Sequence, residues 1–196
     1  GLKGVPKGLL YVAGLGYGYL SIETILVHEL VLFVGHPTYA VTVVILSMLF
    51  FSGLGSVWVG RLPRETMESV LPKAIVGVIF LAAVQGFVIP DLLHGYALGL
   101  PLPARVAIIF ALLAPLGVIM GIPFPLAMRI LRPDASGIVP WAWALNGWMS
   151  VVASLVTVFV SRLWGYSVAY GIALCAYLLA LSLAGSIAKI RRAEAG

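Results

Sequence analysis

The stretch VTVVILSMLFFSGLGSVWVG, residues 41–60, contains no charged side chain. As a helix rising about 1.5 Å per residue, it spans roughly 30 Å, the thickness of a bilayer's hydrocarbon core. The whole chain is similarly apolar. Of its 196 residues, 62% are hydrophobic and 10% are charged, and its mean hydropathy is +1.11. A water-soluble domain needs more charge to cover its surface. The composition therefore predicts an integral membrane protein of the all-α class.

Six apolar segments of this kind succeed one another along the chain. Their joints are short and carry proline, glycine or charge, which favours turns between helices. We predict one transmembrane helical domain covering residues 1–196. Its spans are predicted at about 8–34, 38–59, 73–90, 104–127, 140–161 and 167–188.

The basic residues divide unequally between the two sides of this topology. Ten fall at the termini and in the loops after the second and fourth spans, namely Lys3, Lys7, Arg61, Arg64, Lys73, Arg129, Arg132, Lys189, Arg191 and Arg192. Arg105 and Arg162 fall on the other side. Lys and Arg concentrate in cytoplasmic loops, so both termini are predicted to be cytoplasmic. The net charge of +5 then reports topology, and we predict lipid rather than nucleic acid as its surroundings.

A short internal repeat accompanies this pattern. SVWVGRL at 56–62 ends the second span, and TVFVSRL at 157–163 ends the fifth, 101 residues later. The predicted topology places these two ends on opposite sides of the membrane. An inverted three-plus-three repeat has this property, and many transporter halves, including those of the major-facilitator type, are built that way. We therefore predict such a repeat.

Three ionisable residues interrupt the first span, in LSIETILVHELVLF at 20–33. Charge at this depth costs several kcal/mol, so Glu23, His28 and Glu29 must each be neutral, paired, or turned toward protein or water. At about 100° per residue, His28 and Glu29 point to opposite sides of Glu23. The three therefore do not form one site on this helix. A proton or cation relay, a polar ligand site, and simple interhelical hydrogen bonding with a neutral Glu23 all remain open.

Small residues share the face of the first span that carries His28. Gly14, Gly18 and Ser21 at this spacing allow another helix to approach closely. We expect them to be packing residues, and we expect His28 to form a hydrogen bond across that contact.

Two later segments carry further candidates. Pro123 and Pro125, in and just after the fourth span, predict irregular backbone, which is tolerated at membrane depth where it lines a cavity. Asn146 lies inside the fifth span and needs a hydrogen-bond partner there. Both features are open to a structural or a ligand-binding interpretation.

Signatures of catalysis and cofactor binding are missing from the sequence. It contains no dinucleotide fingerprint, Walker motif, nucleophile elbow or metal-ligand cluster. Cys175 is the only cysteine, which excludes an internal disulfide and a cysteine metal site. Haem is disfavoured, because His28 and His36 share one helix and His94 lies in a loop. We predict no cofactor and no enzymatic activity for this chain alone.

Three segments in order carry a family resemblance. GYLSIETILVHELVLFVGHPTYAVTVVILSMLFFSGLGS at 18–56, PLGVIMGIPFPLAMRIL at 115–131 and VPWAWALNGWMSVVAS at 139–154 stand in this order. Together they resemble the membrane region of bacterial fused major-facilitator/spermidine-synthase-like proteins. The resemblance implies a bacterial inner-membrane location and a link to a soluble aminopropyltransferase-like domain. The sequence has no room for that domain, so it looks like the membrane half alone.

The resemblance also distinguishes among the candidate residues. Glu23, Pro123, Pro125 and Asn146 fit the pattern of the family. His28-Glu29 departs from it, because members more often carry glutamine and a basic residue there. The resemblance therefore makes Glu23 the better functional candidate.

Four functional hypotheses follow. The leading one is a non-catalytic membrane subunit or domain that anchors or docks a larger inner-membrane assembly, with binding of lipid or a small hydrophobic ligand as an option. The second is a transporter or proton-coupled half-unit using Glu23. The others are the membrane part of an aminopropyltransferase-like enzyme and an accessory subunit of a respiratory or photosynthetic complex. Transport predicts Glu23 at a water-accessible cavity, whereas anchoring predicts it buried against another helix or chain.

Overall fold

The computed structural model describes residues 5–87, 99–131 and 137–194, which form seven helices. These are α1 (Val5–Val34), α2 (Pro37–Arg61), α3 (Arg64–Phe87), α4 (Leu102–Met120), α5 (Pro123–Leu131), α6 (Ile138–Trp164) and α7 (Tyr166–Glu194). Within the described residues, six helical stretches are long and apolar enough to cross a membrane, with α4 and α5 together making one. The prediction of an all-α protein with six candidate spans is confirmed. The sides on which the termini lie stay a prediction.

The third helix begins earlier than its predicted span. The sequence places the start at residue 73, after Pro72, but α3 begins at Arg64 and contains Pro72 within it. Two features support the added turns: Glu65 lies in the first turn, where a negative charge suits the helix dipole, and the Thr66 hydroxyl donates to the Pro63 carbonyl at 2.9 Å. The predicted end, residues 88–90, lies outside the described residues.

The fourth span is broken rather than continuous. The last turn of α4 tightens as the Gly121 and Ile122 amides donate to the carbonyls of Gly117 and Ile119. The irregular backbone therefore lies immediately before Pro123, the first residue of α5. A proline in the first turn of a helix loses no hydrogen bond, because the amides there have no intrahelical partner. The prolines thus start a new helix instead of kinking the old one.

Close helix contacts organise the bundle around α1. This helix packs most extensively on α6 and α7, while α2 packs on α4 and α3 packs on α7. The contacts between α1 and α6 advance together along both helices, from Val12 with Asn146 to Ser21 with Thr157. The two helices therefore run in the same direction, as the first and fifth of six consecutive crossings must.

The outside of the bundle is apolar, as a lipid environment requires. Trp141 and Leu155 on α6 are each 70% exposed, and Leu32 on α1 is 71% exposed. Water would disfavour so many exposed large side chains, whereas hydrocarbon does not. The core consists mainly of leucine, isoleucine, valine, methionine and alanine, with the fully buried Tyr11 and Tyr170 among its few aromatic residues.

Candidate functional site

A cavity of about 460 Å³ lies among α1, α2, α6 and the break between α4 and α5, with one residue of α7 at its back. Its polar lining residues are Tyr19, Ser52, Ser56, Asn146, Ser150 and Tyr177. Its apolar lining residues are Leu15, Leu20, Leu49, Met120, Pro123, Phe124 and Pro125. Gly16, Gly53 and Gly121 complete the wall. None of these described lining residues carries a charge.

The cavity opens onto the outer surface of α2. Tyr177 at the back is 2% exposed, whereas Leu49 at the front is 61% exposed. Gly53 lies one turn from Leu49, and a methyl group added to it would have no neighbour within 4 Å. The opening therefore lies on the exposed, apolar side of α2.

Two glycines of the cavity wall, Gly121 and Gly16, allow close contacts between helix backbones. A Cβ on Gly121 would lie 2.6 Å from the carbonyl carbon of Ser52, with the carbonyl oxygen closer still. A Cβ on Gly16 would lie 2.8 Å from the Asn146 side-chain nitrogen and would collide with the Asn146 carbonyl oxygen. Both spacings are shorter than any ordinary contact, so only glycine lets these backbones meet.

Asn146 and Ser150 attach α6 to α1 at the cavity. The Asn146 side-chain amide donates to the Val12 carbonyl at 3.3 Å. The Ser150 hydroxyl lies 2.9 Å from the Asn146 carbonyl and 3.3 Å from the Gly16 carbonyl. In the part of the chain that the structure describes, nothing donates a hydrogen bond to the Asn146 side-chain oxygen. This oxygen belongs to a half-buried residue of the cavity wall and can accept a hydrogen bond from a ligand.

The hydroxyl groups on the α2 side differ in their hydrogen bonding. Tyr19 donates to the Ser52 hydroxyl at 3.4 Å, and Ser52 donates to the Leu49 carbonyl at 3.3 Å. Ser56, one turn further, forms no hydrogen bond with any described residue. A serine hydroxyl can both donate and accept, so Ser56 adds a second available polar group to a mostly apolar wall.

Glu23 does not line this cavity. It is half-buried on α1, one helical turn beyond Tyr19, and its carboxylate is close enough to interact electrostatically with the Tyr19 hydroxyl. The described residues offer it neither a hydrogen bond nor an ion pair. Glu23 is therefore neither a cavity residue nor fixed by a polar partner on a neighbouring helix. Its role stays a prediction.

His28 and Glu29 lie apart from the cavity. We expected His28 to form a hydrogen bond across a helix contact, and this was wrong, because its Nδ1 lies 2.8 Å from the Thr24 carbonyl of its own helix. This carbonyl, one turn back on α1, provides a hydrogen-bond partner for Nδ1 within the same helix. The imidazole centre also lies 6.4 Å from the Tyr166 ring centre. Glu29 is half-buried and interacts electrostatically with Tyr170.

The other histidines do not join these residues. The His36 imidazole accepts a hydrogen bond from the Thr38 amide at 3.3 Å and caps α2. His94 lies outside the described residues. Among the residues that are described, no group of three or more His, Cys, Asp or Glu side chains is placed to hold a metal ion. The lack of a cofactor stays a prediction.

The small residues of α1 contact two different helices. A Cβ on Gly14 would lie 3.0 Å from the Ala176 carbonyl oxygen on α7, and a Cβ on Gly18 would lie 2.6 Å from the Tyr177 ring. The Ser21 hydroxyl accepts a hydrogen bond from Thr157 on α6 at 2.9 Å, and both residues are buried. All three small residues lie at helix contacts.

Sequence reasoning named Asn146, Pro123 and Pro125, and all three line the cavity. It missed Tyr19, Ser52, Ser56 and Ser150. A signal was available in α2, where Ser52, Gly53 and Ser56 bring small and polar residues to one side of an otherwise apolar helix.

No protein-family model, curated protein or solved structure matches the chain. The resemblance to fused major-facilitator/spermidine-synthase-like membrane regions therefore stays a prediction.

Proposed function

We propose that this chain is a non-catalytic membrane domain that binds a small, mostly apolar molecule from the bilayer. The observation that carries this proposal is the cavity of about 460 Å³, which lies in the range typical of small-molecule sites. Such sites combine an apolar wall with a few polar groups that orient the ligand. Asn146 and Ser56 provide those groups here.

Polar groups at membrane depth need hydrogen-bond partners. Hydrocarbon offers them no hydrogen bonds, and an unsatisfied polar group there costs several kcal/mol. The Asn146 oxygen and the Ser56 hydroxyl belong to residues of the cavity wall, and neither forms a hydrogen bond with a described residue. A ligand that bonds to them would recover part of this cost, whereas a purely apolar molecule would not.

Anchoring of a larger inner-membrane assembly belongs to the same proposal. Arg61, Arg64 and Lys73 are exposed on the loop side of α2 and α3, at the end of the bundle predicted to be cytoplasmic. A partner subunit with an acidic surface would find complementary charge there. Ligand binding within the bundle and attachment of a partner at its end are compatible.

A second candidate function is transport by a half-unit, and the register of two helix pairs favours it. Hydrogen bonds join α1 to α6 between residues 134 apart, as in Val12 with Asn146 and Gly16 with Ser150. In an inverted repeat with the 101-residue offset, each residue of the first half corresponds to the residue 101 positions later in the second half. A contact between residues 134 apart then has a counterpart between residues 68 apart, which is twice 101 less 134.

The contacts between α2 and α4 lie near this value. Gly117 meets Phe51, Gly121 meets Ser52 and Gly55 meets Val118, which are separations of 66, 69 and 63 residues. This agreement supports an inverted relation between the two helix pairs. In transporters built from inverted repeats, the substrate site lies at the interface of the repeats near the membrane midplane. The cavity lies between these two helix pairs, which supports this candidate.

Native mass spectrometry tests the binding proposal. The protein is extracted in mild detergent as wild type, as Ser150→Phe and as Ser154→Phe. Ser150 lines the cavity, whereas Ser154 lies one turn further on α6 and does not. We expect a bound small molecule on the wild type and on Ser154→Phe, and its loss from Ser150→Phe. Equal retention by all three proteins, or none by the wild type, would contradict the proposal.

Reconstituted vesicles test the transport candidate. If Glu23 takes part in coupling, Glu23→Gln should abolish proton-driven uptake of the molecule identified in the first experiment. The variant should still retain that molecule in native mass spectrometry. Uptake that is unchanged in Glu23→Gln would contradict that role for Glu23.

A further inference from the structure

We infer that the cavity binds an uncharged lipid whose polar head carries a hydroxyl group, and that this lipid enters sideways from the bilayer past α2. The inference rests on the proposed binding function and names the chemical class of its ligand.

The lack of charged side chains in the cavity wall favours a neutral headgroup. Among the described residues that line the cavity, none is acidic or basic. A charged headgroup transferred into such a wall would lose its hydration without gaining an ion partner, and this transfer is strongly unfavourable. Phosphate, carboxylate and quaternary ammonium heads are thereby disfavoured, and a neutral head is not.

The available polar groups of the wall favour a ligand that donates a hydrogen bond. The Asn146 side-chain nitrogen already donates to the Val12 carbonyl, which leaves the side-chain oxygen as the acceptor that Asn146 offers to a ligand. The Ser56 hydroxyl can donate or accept. A hydroxyl group on the ligand satisfies both, because it donates one hydrogen bond and accepts others. An ester or ketone, which only accepts, would leave the Asn146 oxygen unpaired.

The position of the cavity opening on α2 favours a ligand that enters sideways from the bilayer. Leu49 and Gly53 form the outer edge of the cavity on α2, and the space beside Gly53 is free to at least 4 Å. An opening at membrane depth admits molecules that are already dissolved in the bilayer. The alkyl part of a lipid would lie against the apolar wall and extend outward past Leu49, with its head near Asn146.

A set of three photoreactive probes tests this inference. The probes share one alkyl chain with a diazirine and differ only in the head, which is a hydroxyl, a carboxylate or a quaternary ammonium group. Each is incorporated at equal amount in vesicles containing the intact protein and irradiated. Labelled peptides are then assigned by mass spectrometry. We expect the hydroxyl probe to label the cavity peptides of α2 and α6 at least about tenfold more than either charged probe.

Two variants and one control separate recognition from misfolding. Asn146→Leu removes the acceptor together with the bond to Val12, whereas Ser56→Ala removes a hydroxyl that forms no hydrogen bond with a described residue. Each should lower cavity labelling by the hydroxyl probe several-fold, by about the factor expected for one lost hydrogen bond. Ser154→Ala, outside the cavity, should leave it unchanged. Normal labelling in Ser56→Ala and Asn146→Leu would overturn the assignment of the head to these residues.

The outcomes distinguish failure of the neutral-lipid inference from failure of the proposed binding function. Equal or stronger cavity labelling by a charged probe would overturn the neutral-lipid inference and leave the binding function standing. Labelling confined to the outer surfaces, with a bound molecule still present in native mass spectrometry, would overturn sideways entry of this lipid class. Loss of both signals would overturn the binding function itself.

Discussion

Gly121→Ala tests whether the α2–α4 contact fixes the shape of the cavity. The backbone of Gly121 has φ −73° and ψ −4°, which any residue adopts without strain. The cost of the added methyl is therefore steric. It would lie 2.6 Å from both the Cα and the carbonyl carbon of Ser52, whereas carbon atoms in good contact are about 3.5–4.0 Å apart.

The two helices must therefore separate by roughly 1 Å at this point, because neither clashing group is the flexible end of a side chain. Overpacking of this kind costs typically about 1–3 kcal/mol. For a chain of this length, we expect the apparent unfolding midpoint to fall by roughly 2–12 °C. The assay is thermal unfolding in mild detergent, followed by intrinsic fluorescence.

Gly147→Ala is the matched control for this substitution. Gly147 lies inside α6, and a methyl on it would have no neighbour within 4 Å. Replacing glycine by alanine within a helix is favourable by roughly 0.5–1 kcal/mol when space allows. The control should therefore keep or slightly raise the midpoint. If Gly121→Ala and Gly147→Ala unfold at the same temperature, the proposed close contact between α2 and α4 is refuted.

Two further predictions concern buried hydroxyl groups and use the same unfolding assay. Tyr11→Phe removes a hydrogen bond to the Pro123 carbonyl at 3.3 Å and should destabilise the fold by about 0.5–1.5 kcal/mol. Tyr170→Phe removes a buried hydroxyl that has no hydrogen-bond partner among the described residues and should keep or raise the midpoint. The reverse order of the two variants would contradict this assignment. A double-mutant cycle with Ser21→Ala and Thr157→Val should give a coupling of about 0.6–1.7 kcal/mol, because their hydroxyls are 2.9 Å apart between α1 and α6. Strict additivity would show that the bond contributes nothing.

The six candidate spans were predictable because each is a long apolar run, and this signal is local. The helix starts were less predictable, since Pro72 indicates a break in the sequence yet lies inside α3. Local signals conflict there, and the favourable first turn around Glu65 prevails over the proline. The break after Met120 was anticipated only as irregularity near the prolines.

The cavity was only partly predictable, because it depends on which helices meet. Asn146 faces α1 residues more than 130 positions away, and no periodicity within α6 reveals that neighbour. Charged residues attract notice in an apolar sequence, so reasoning centred on Glu23 and Glu29. The cavity instead uses uncharged residues such as Ser56 and Tyr19, whose presence in a membrane helix is ordinary by itself.

Crosslinking from two matched positions on α2 tests whether the cavity holds a discrete small molecule. A photoreactive phenylalanine derivative is placed at Leu49 or at Leu46, which are 61% and 60% exposed. Leu49 lines the cavity, and Leu46, one turn away, does not. After irradiation in native membranes, intact masses identify the attached molecules. We expect a discrete small-molecule adduct at position 49 and a mixture of bulk lipids at position 46. The same mixture at both positions would contradict this expectation.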